Sequence, residues 1–340
     1  MRVVEFTHGK GIEGLRHVER VAREPGAGEV RVAVRAVSLN YRDLMGVKGI
    51  YPQAVPHPVI AASDCAGEVT AVGAGVTAFK PGDRVANTFF HGWDDGPVSL
   101  AKVSESFGGN VDGVLTEELV LPQSRLAGLP AQMDFVQGAT LTCAGVTAWN
   151  AIVEFAQLKP GARVLLLGTG GVSIWGLQIA RAAGMEAIVT SSSDAKLERA
   201  RALGATGLVN YRKTPEWQHE VLKLSGGEGV DLAIEVGGQG TLSRSVASTC
   251  VGGRVAIIGG VSGFGADPEF SPMSLIIGAK RMEGLFVGSR AMLQDLSRFV
   301  GANRIEPVVD RVFGFEQVQD AYRHLESGNH FGKVAIRVGA

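Results

Sequence analysis

The sequence predicts an α/β protein in which a doubly wound parallel sheet is inserted into a mostly β part. Apolar strands alternate with helical segments between residues 145 and 287, which is typical of a parallel sheet covered by helices on both faces. Residues 1–125 instead show short apolar runs between glycine-rich turns, typical of a small barrel or sandwich. The tail ends in a strand-like run from Lys333. We therefore expect one domain from residues 1–144 and 288–340, and a second from 145–287.

The mostly β part contains predicted strands at residues 30–37 and 67–72. Lys80-Pro-Gly-Asp83 has the composition of a tight turn, and the strand Arg84–Asn87 follows it. These strands are short and closely spaced, as the barrel or sandwich requires.

The middle part consists of strands separated by helices. The strands are predicted at residues 162–168, 186–191, 207–211, 230–236, 254–260 and 281–287. Ser193 or Asp194 is expected to cap the helix after the second strand. Thr214 is expected to cap the helix after the third strand, with Pro215 as its first residue.

The amino-acid composition and the lengths of the apolar runs argue against several classes of protein. The chain has 33 basic and 34 acidic residues among 340, so no polyanion is indicated as a partner. Cys65, Cys143 and Cys250 are too few and too far apart for a disulfide framework or a metal knuckle. No secretory signal is visible, and no apolar run reaches the roughly 20 residues of a membrane span. We expect a cytoplasmic protein that binds neither nucleic acid nor a membrane.

A glycine-rich loop follows the first strand of the middle part. The run from Gly168 to Ser173, Gly-Thr-Gly-Gly-Val-Ser, closes a strand and opens a helix, which is the context of a dinucleotide-binding fingerprint. Ser173 replaces the third glycine, and the amides at the helix start should face the pyrophosphate. An ordinary strand–helix turn without a ligand is the alternative. The residues predicted to bind the pyrophosphate are Gly168, Gly170, Gly171 and Val172.

The second strand of the middle part ends in hydroxyl side chains. Ser191 and Ser192 stand where an NAD-preferring site usually places a carboxylate, which would repel a 2′-phosphate. Lys196, Tyr211 and Arg212 would complete a phosphate pocket, unless the two cations are simply solvated. The sequence therefore predicts NADP(H) as the cofactor in preference to NAD(H).

Several motifs together resemble the medium-chain dehydrogenase/reductase superfamily. They are residues 58–68, 72–76, 81–84 and 143–148, the glycine-rich loop and the pair Gly332-Lys333. The resemblance covers nearly the whole chain. It implies a GroES-like β-barrel catalytic domain, a Rossmann cofactor domain and an active-site cleft between them.

The positions that hold catalytic zinc in many members of this superfamily are altered. By resemblance, Asn40, Ser63 and Cys143 stand where those members have Cys, His and Cys, and Asp64 stands where they have Glu. No cysteine lies between Asp83 and Cys143, where the four ligands of the structural zinc would be. One thiolate and one carboxylate make a poor tetrahedral set. We expect no zinc, and the chain is most similar to the zinc-independent alcohol dehydrogenase-like and quinone oxidoreductase-like branches.

The absence of zinc ligands points to particular substrates. Hydride transfer to an unactivated ketone produces an alkoxide that a metal ion stabilises. An enone or a quinone spreads the charge, so hydrogen-bond donors suffice. The sequence predicts a zinc-independent, NADPH-dependent reductase of quinones or α,β-unsaturated carbonyl compounds. The alternatives are an alcohol or aldehyde dehydrogenase with an unusual metal set that includes Cys143 and Asp64, and an NADPH-binding protein without turnover.

Five residues are predicted to serve the chemistry. Asn40 is expected to donate to a substrate oxygen or a cofactor ribose, or else to bond within its own turn. Tyr41 and Tyr51 would donate a phenolic proton or pack at the surface. Asp43 is expected to fix the backbone of its turn. By resemblance, Thr147 lies beside the nicotinamide, with a helix cap as the alternative.

The resemblance also implies further contacts with the cofactor and a partner. The additional cofactor-binding residues are Gly259, Gly260, Val261, Phe286, Val287, Gly288 and Lys333. Loops 46–58 and 91–109 would shape the substrate pocket. The apolar segments 271–279 and 281–287 would pair with their copies in a homodimer, unless they belong to ordinary core.

Overall fold

The N-terminal part of the chain is rich in short strands, as predicted. The computed structural model describes residues 1–51 and 57–339. The strands are β1 Arg2–Phe6, β2 Arg16–Glu19, β3 Glu29–Leu39, β4 Val59–Ile60, β5 Asp64–Val72, β6 Arg84–Asn87, β7 Glu118–Pro122 and β8 Leu126–Gly128. The helices are α1 Tyr41–Lys48, α2 Leu100–Val103 and α3 Phe135–Gly138.

The middle of the chain alternates between strands and helices. It opens with α4 Val146–Trp149, which lies between two π-helical segments, Leu141–Gly145 and Asn150–Phe155. The strands that follow are β9 Arg163–Leu166, β10 Glu186–Ser191, β11 Gly207–Asn210, β12 Val230–Glu235, β13 Thr249–Ile257 and β14 Arg281–Gly284. The helices are α5 Gly171–Ala182, α6 Asp194–Ala202, α7 Trp217–Leu224, α8 Leu242–Ser248 and α9 Met273–Gly278.

The C-terminal part returns to the first sheet. It comprises α10 Arg290–Asn303, β15 Val309–Gly314, α11 Val318–Glu326 and β16 Lys333–Arg337. β16 pairs antiparallel with β3, with Val334 opposite Leu39. The sheet runs β15-β16-β3-β5-β6-β8, and β7 also pairs with β3. This pairing places Lys333 beside the end of β3.

The predicted parallel sheet is confirmed. Its order is β11-β10-β9-β12-β13-β14, and each pair of neighbours is parallel. This is the doubly wound order in which ligands bind beyond the carboxyl ends of the strands. The strands are buried: Val164, Leu165, Leu166, Leu232, Ala233 and Ile234 are all fully enclosed.

The described residues divide into two compact units. One consists of Met1–Val146 with Gly288–Ala340, and the other of Thr147–Val287. The first contains the mostly β sheets, and the second contains the parallel sheet. Each unit therefore fixes the relative positions of the residues that belong to it.

One predicted helix start is wrong. Thr214 does not cap α7, which begins at Trp217 after Glu216. The backbone N–H of Thr214 instead donates to Asn210 O, so the chain is still turning there. The turn from Asn210 to Thr214 therefore overrides the capping pattern that Thr214 and Pro215 show in the sequence. In contrast, Ser193 caps α6 as expected, since its Oγ accepts from the backbone N–H of Lys196.

Candidate functional site

The glycine-rich loop has the backbone that a dinucleotide pyrophosphate requires. Gly168 has a φ of 73°, a left-handed conformation that favours glycine. A Cβ added at Gly168 or Gly170 would meet nothing within 4 Å, so the space above the loop is open. α5 begins directly at Gly171, and the N–H groups of its first turn have no partner within the helix. These features fit a phosphate group at the start of α5.

Ser173 and Gly176 divide the role of the missing third glycine. Ser173 is buried, and its Oγ donates to Leu167 O at 2.6 Å, which ties the helix to the loop. Gly176 lies one turn further on, where an added Cβ would come within 2.8 Å of the Leu166 side chain. The close approach of helix and strand therefore depends on Gly176. Sequence reasoning missed this residue, although a glycine inside a helical pattern is a signal of close packing.

The end of β10 carries the predicted hydroxyl groups. Ser191 is 3% exposed, and its Oγ accepts from the backbone N–H of Ser193 at 3.2 Å. The nearby carboxylate of Asp194 is occupied: it accepts from Lys213 Nζ at 2.5 Å and from Asn210 Nδ2 at 2.7 Å. Both contacts lower the pKa of Asp194, with the Lys213 hydrogen bond contributing most. The negative charge at this position is thus already paired.

The remaining residues predicted for the 2′-phosphate lie near this strand end. Lys196 lies in the first turn of α6, and Ser192 lies between β10 and that helix. The backbone N–H of Tyr211 donates to Ser191 O at 3.1 Å, so Tyr211 is adjacent to Ser191. The structure therefore brings together Ser191, Ser192, Lys196 and Tyr211.

A cavity of about 400 Å³ lies at the carboxyl ends of β13 and β14 within the second unit. Two of the predicted cofactor residues, Gly259 and Phe286, line this cavity. Gly260 and Val261 continue the same loop, and the N–H of Val261 donates to Val236 O at 3.0 Å. The other lining residues are Gly238, Gln239, Leu242, Ile257, Ile258, Gly263, Phe264, Gly265, Asp267, Gly284 and Leu285. The cavity is lined mostly by apolar atoms, as sites for small molecules usually are.

A buried carboxylate that the sequence analysis missed supports one wall of this cavity. Glu235 is fully buried at the end of β12. Its Oε1 accepts from Gly237 N at 2.6 Å, Gly238 N at 2.9 Å and Thr241 Oγ1 at 2.7 Å. Its Oε2 accepts from Ser245 Oγ. The signal available in the sequence was an acid that directly follows the apolar run Leu232–Ile234 of this strand.

Thr147 and Phe286 belong to the same unit. Thr147 is 1% exposed and lies inside α4, so the helix-cap alternative is wrong. The Phe286 carbonyl accepts from Asn150 Nδ2 at 3.0 Å, which fixes the main chain after β14. Val287 is the last residue of this unit, and Gly288 begins the return to the first unit with a φ of 147°.

In the first unit, Asn40 lies in a buried polar cluster. Its Nδ2 donates to Ser63 Oγ at 3.2 Å, and Ser63 Oγ donates to Asp64 Oδ1 at 2.6 Å. Lys333 Nζ donates to Asn40 Oδ1 at 2.5 Å and to Leu39 O at 2.6 Å. Asn40, Ser63, Asp64 and Lys333 are 8%, 0%, 0% and 4% exposed. Thus Lys333, which the resemblance assigned to the cofactor, contacts Asn40 in this structure.

This cluster does not fit a zinc ion. Catalytic zinc needs three good protein ligands, with cysteine as thiolate. The Asp64 oxygens already accept hydrogen bonds from Ser63 Oγ and Cys143 N. The Lys333 ammonium donates into the same cluster, where a second cation would be repelled. Among residues 1–51 and 57–339, no group of three or more histidine, cysteine or carboxylate side chains is arranged to hold a metal.

Asp43 has the structural contact that was expected of it. Its Oδ2 accepts from the backbone N–H of Asn40 at 2.8 Å, which fixes the start of α1. Arg42 Nε lies 3.7 Å from Asp43 Oδ1, and the Arg42 guanidinium also lies 5.6 Å from the centre of the Tyr51 ring. Tyr51 is thus packed against Arg42, whereas Tyr41 is 41% exposed. Residues 52–56 of the predicted loop 46–58 lie outside the described residues, and the loop's first residues belong to α1.

The free energy of unfolding is expected to depend on Asp43 ionisation. Burial, opposed by Arg42, raises the pKa of Asp43 from 3.8 to about 6. The folded chain therefore holds this proton more tightly than the unfolded chain, and the Asp43 contribution to stability falls as pH rises from about 4 to about 6. In Asp43→Asn, which keeps an acceptor for Asn40 N–H, we expect stability relative to wild type to rise by on the order of 2–3 kcal/mol across that interval.

Urea unfolding of the two proteins at a series of pH values measures this difference. Asp83→Asn is the control with the opposite sign, because Lys80 lowers the pKa of Asp83 and its ionisation stabilises the fold. A stability difference for Asp43→Asn that stays flat from pH 4 to pH 7 would contradict the prediction.

Comparisons with known proteins agree with this geometry. The alcohol dehydrogenase GroES-like domain matches residues 26–131, and the zinc-binding dehydrogenase model matches residues 171–302. A zinc-type alcohol dehydrogenase-like protein of Schizosaccharomyces pombe is 41% identical, and the alignment covers 99% of both chains.

Solved structures show the same fold. A crystal structure of a protein from Sinorhizobium meliloti has a TM-score of 0.91 and 39% sequence identity. The alignment covers 99% of this chain and 98% of the chain in that structure. A structure described as an NAD-dependent alcohol dehydrogenase has a TM-score of 0.89 and 33% identity, with all of both chains covered. Both similarities extend over the complete length of the fold.

The glycine-rich loop, the doubly wound sheet and the GroES-like domain define an NAD(P)-dependent oxidoreductase. The chain belongs to the medium-chain dehydrogenase/reductase superfamily. Within the described part of the chain, no helix is both long enough and apolar enough to cross a bilayer.

Proposed function

We propose that this oxidoreductase is a zinc-independent reductase that transfers hydride from NADPH to quinones or α,β-unsaturated carbonyl compounds. The observation that carries the proposal is the buried cluster at Asn40, where Lys333 and Ser63 contact the amide and no zinc ligand set is present among the described residues. Such a cluster offers hydrogen-bond donors rather than a Lewis acid. Donors suffice when the substrate itself spreads the negative charge.

The dinucleotide would be held by this chain's own residues in the second unit. The amides at the start of α5 would bind the pyrophosphate, and the cavity near Gly259 and Phe286 would take the nicotinamide. The cofactor supplies the hydride. The serine hydroxyls at the end of β10, with Asp194 already paired to Lys213, favour the 2′-phosphate of NADP(H).

An alcohol or aldehyde dehydrogenase is the second candidate. It is favoured by the description of the Schizosaccharomyces pombe relative as a zinc-type alcohol dehydrogenase-like protein. For this chain that function would require a set of metal ligands that includes Cys143 and Asp64. The Asp64 carboxylate oxygens already accept hydrogen bonds from Ser63 Oγ and from the backbone N–H of Cys143. We therefore rank it below the zinc-independent reductase.

A substrate screen with metal analysis separates these functions. Oxidation of NADPH and NADH at 340 nm is followed with a panel of quinones, enones and aldehydes, and zinc is measured in the same preparation. We expect turnover of quinones or enones that is unchanged by a chelator. Stoichiometric zinc, with aldehyde reduction lost on chelation, would establish the second candidate. Tight NADPH binding without turnover of any acceptor would indicate a cofactor-binding protein.

We also propose that the protein is a homodimer formed through β14. This strand pairs with β13 on one side, and it is the last strand in the order of the sheet. Next to it, Phe264, Ile276 and Ile277 are 73%, 71% and 79% exposed. A second copy of the chain would cover these side chains and add its own edge strand.

Ile276→Glu is expected to convert the dimer to a monomer, because it places a charge in the apolar interface. Light scattering at micromolar concentration measures the mass of both proteins. Val251→Glu is the matched control, since Val251 is an aliphatic residue of similar exposure, 79%, near the start of β13. A wild-type protein that is already monomeric would remove the dimer without affecting the proposed chemistry.

A further inference from the structure

A carboxylate lies close to the strand end that is proposed to bind the 2′-phosphate. Asp194 is the first residue of α6, and Ser191 is the last residue of β10. In the parallel pair of β10 and β11, Asn210 stands opposite Ser191, and Asn210 Nδ2 donates to Asp194 Oδ1 at 2.7 Å. Neighbouring strands lie about 4.8 Å apart, so the carboxylate is within roughly 10 Å of Ser191. Its charge can therefore act on a phosphate group bound at Ser191.

A lysine from the next strand end pairs with this carboxylate. Lys213 Nζ donates to Asp194 Oδ2 at 2.5 Å. Lys213 belongs to the turn after β11, in which Asn210 Oδ1 accepts from the backbone N–H groups of Arg212 and Lys213. Asn210 therefore shapes the turn that carries the lysine, and it also binds the carboxylate with which the lysine pairs.

The pair of Lys213 and Asp194 is too exposed to contribute much to stability. The two side chains are 69% and 58% exposed. Ion pairs of this kind change the free energy of unfolding little, because water screens them. A phosphate monoester, in contrast, carries a charge of about −1.5 to −2 near neutral pH, and it is affected by an unpaired charge within about one Debye length, roughly 10 Å at 0.1 M salt. The effect of the pair is therefore expected in the choice of cofactor.

We propose that Lys213 is a positioning residue that sets the cofactor preference through Asp194. By holding and neutralising this carboxylate, it allows a 2′-phosphate to bind at the end of β10, and it does so without contacting the phosphate. This inference rests on the NADP(H) preference of the proposed function. An acid at Asp194 has a separate use, since a negative charge in the first turn of a helix is favourable. Lys213 makes that acid compatible with a dianionic ligand.

A double-mutant cycle tests the proposal by cofactor binding alone. The variants are Lys213→Met, Asp194→Asn and their combination, and fluorescence titration gives the Kd of each for NADPH and NADH at low salt. Lys213→Met leaves the carboxylate unpaired, so we expect its Kd for NADPH to rise about 5- to 10-fold, while the Kd for NADH changes less than about 2-fold. Asp194→Asn should bind NADPH at least as tightly as the wild type.

The double variant separates pairing from direct contact. With the carboxylate also removed, the Kd for NADPH should return to within about 2-fold of the wild-type value. If Lys213 instead bound the phosphate itself, the loss of affinity would persist in the double variant, and that result would overturn the proposal. Equal changes for NADPH and NADH in Lys213→Met would overturn it as well, because they would indicate a general effect on the site.

Salt and a second lysine provide the controls. At about 1 M salt the effect of Lys213→Met on NADPH should fall below about 2-fold, because the Debye length is then about 3 Å. Lys223→Met is the matched variant, since Lys223 is 78% exposed and also pairs with an acid, Glu220, at 3.5 Å. Lys223 lies in the last turn of α7, at the far end of the helix that follows Lys213. Its Kd for NADPH should stay within about 2-fold of wild type.

Failure of the proposed function gives a different result from failure of this inference. A wild-type protein that binds NADH at least as tightly as NADPH would refute the NADP(H) preference. The comparison of Lys213→Met with the double variant would still decide the role of Lys213, because only NADPH carries the 2′-phosphate. No acceptor has to be reduced in any of these measurements.

Discussion

Replacing Ser191 with aspartate is expected to raise the Kd for NADPH by about 100-fold, while the Kd for NADH changes by less than about 5-fold. Ser191 ends β10 and is 3% exposed, so the new carboxylate would be held in place. A carboxylate a few ångströms from a 2′-phosphate costs several kcal/mol at an effective dielectric of about 20. The same group can accept from the ribose hydroxyls of NADH.

The fold should survive this substitution. Ser191 Oγ accepts from the backbone N–H of Ser193, and an aspartate oxygen can accept in its place. Asp194 is already bound by Lys213 and Asn210, so these two side chains do not neutralise the added charge. Fluorescence titration of the wild type and of Ser191→Asp with each cofactor measures the effect.

Two control variants isolate the position of the charge. Ser193→Asp adds the same charge at the cap of α6, where its carboxylate is committed to Lys196 N–H. Its effect on NADPH binding should be at least about 5-fold smaller. Ser191→Ala removes the hydroxyl without adding charge. Equal changes in the Kd of both cofactors for Ser191→Asp would show that this strand end does not contact the 2′-phosphate.

The second large effect is expected for Glu235→Ala, which should lower the free energy of unfolding by about 3–5 kcal/mol. The variant leaves Gly237 N, Gly238 N, Thr241 Oγ1 and Ser245 Oγ without their shared acceptor in a buried place. Each unsatisfied buried donor costs about 1–3 kcal/mol, with partial relief from relaxation. The loss therefore exceeds that of an ordinary surface substitution.

Glu235 also supports the cavity that is proposed to take the nicotinamide. Gly238 and Leu242, on the segment that Glu235 holds, line the cavity near Phe286. We expect Glu235→Ala to weaken NADPH binding and Glu235→Gln, which keeps one acceptor oxygen, to do so less. Chemical unfolding and cofactor titration measure the two effects. The control is Glu19→Ala in β2, which is exposed and should change stability by less than about 0.5 kcal/mol. An equally small loss for Glu235→Ala would contradict the prediction.

The sequence was a good guide where structure is local. The parallel sheet was predicted from apolar strands between helical segments, and its order is the doubly wound one. The glycine-rich loop could be located because its conformation depends on neighbouring residues, such as the left-handed Gly168. The cap at Ser193 was predicted for the same reason, whereas the cap at Thr214 failed because Asn210 holds the chain in a turn.

The roles of Gly176 and Glu235 could not be assigned from local patterns. Gly176 matters because Leu166 of another element comes within 2.8 Å of the place where a Cβ would be. Glu235 is a carboxylate at the end of β12, and its four donors belong to the loop and helix that follow. In both cases the deciding quantity is a distance between elements, which sequence periodicity does not contain.

By itself the sequence determined the α/β class, the glycine-rich loop and the serines at the end of β10, because each depends on residues that are close along the chain. Only the tertiary structure decided that Lys333 contacts Asn40, a residue 293 positions away. That contact exists because β16 pairs antiparallel with β3, so Val334 stands opposite Leu39. Strand register sets which side chains of distant segments meet, and it is fixed by the packing of the whole sheet.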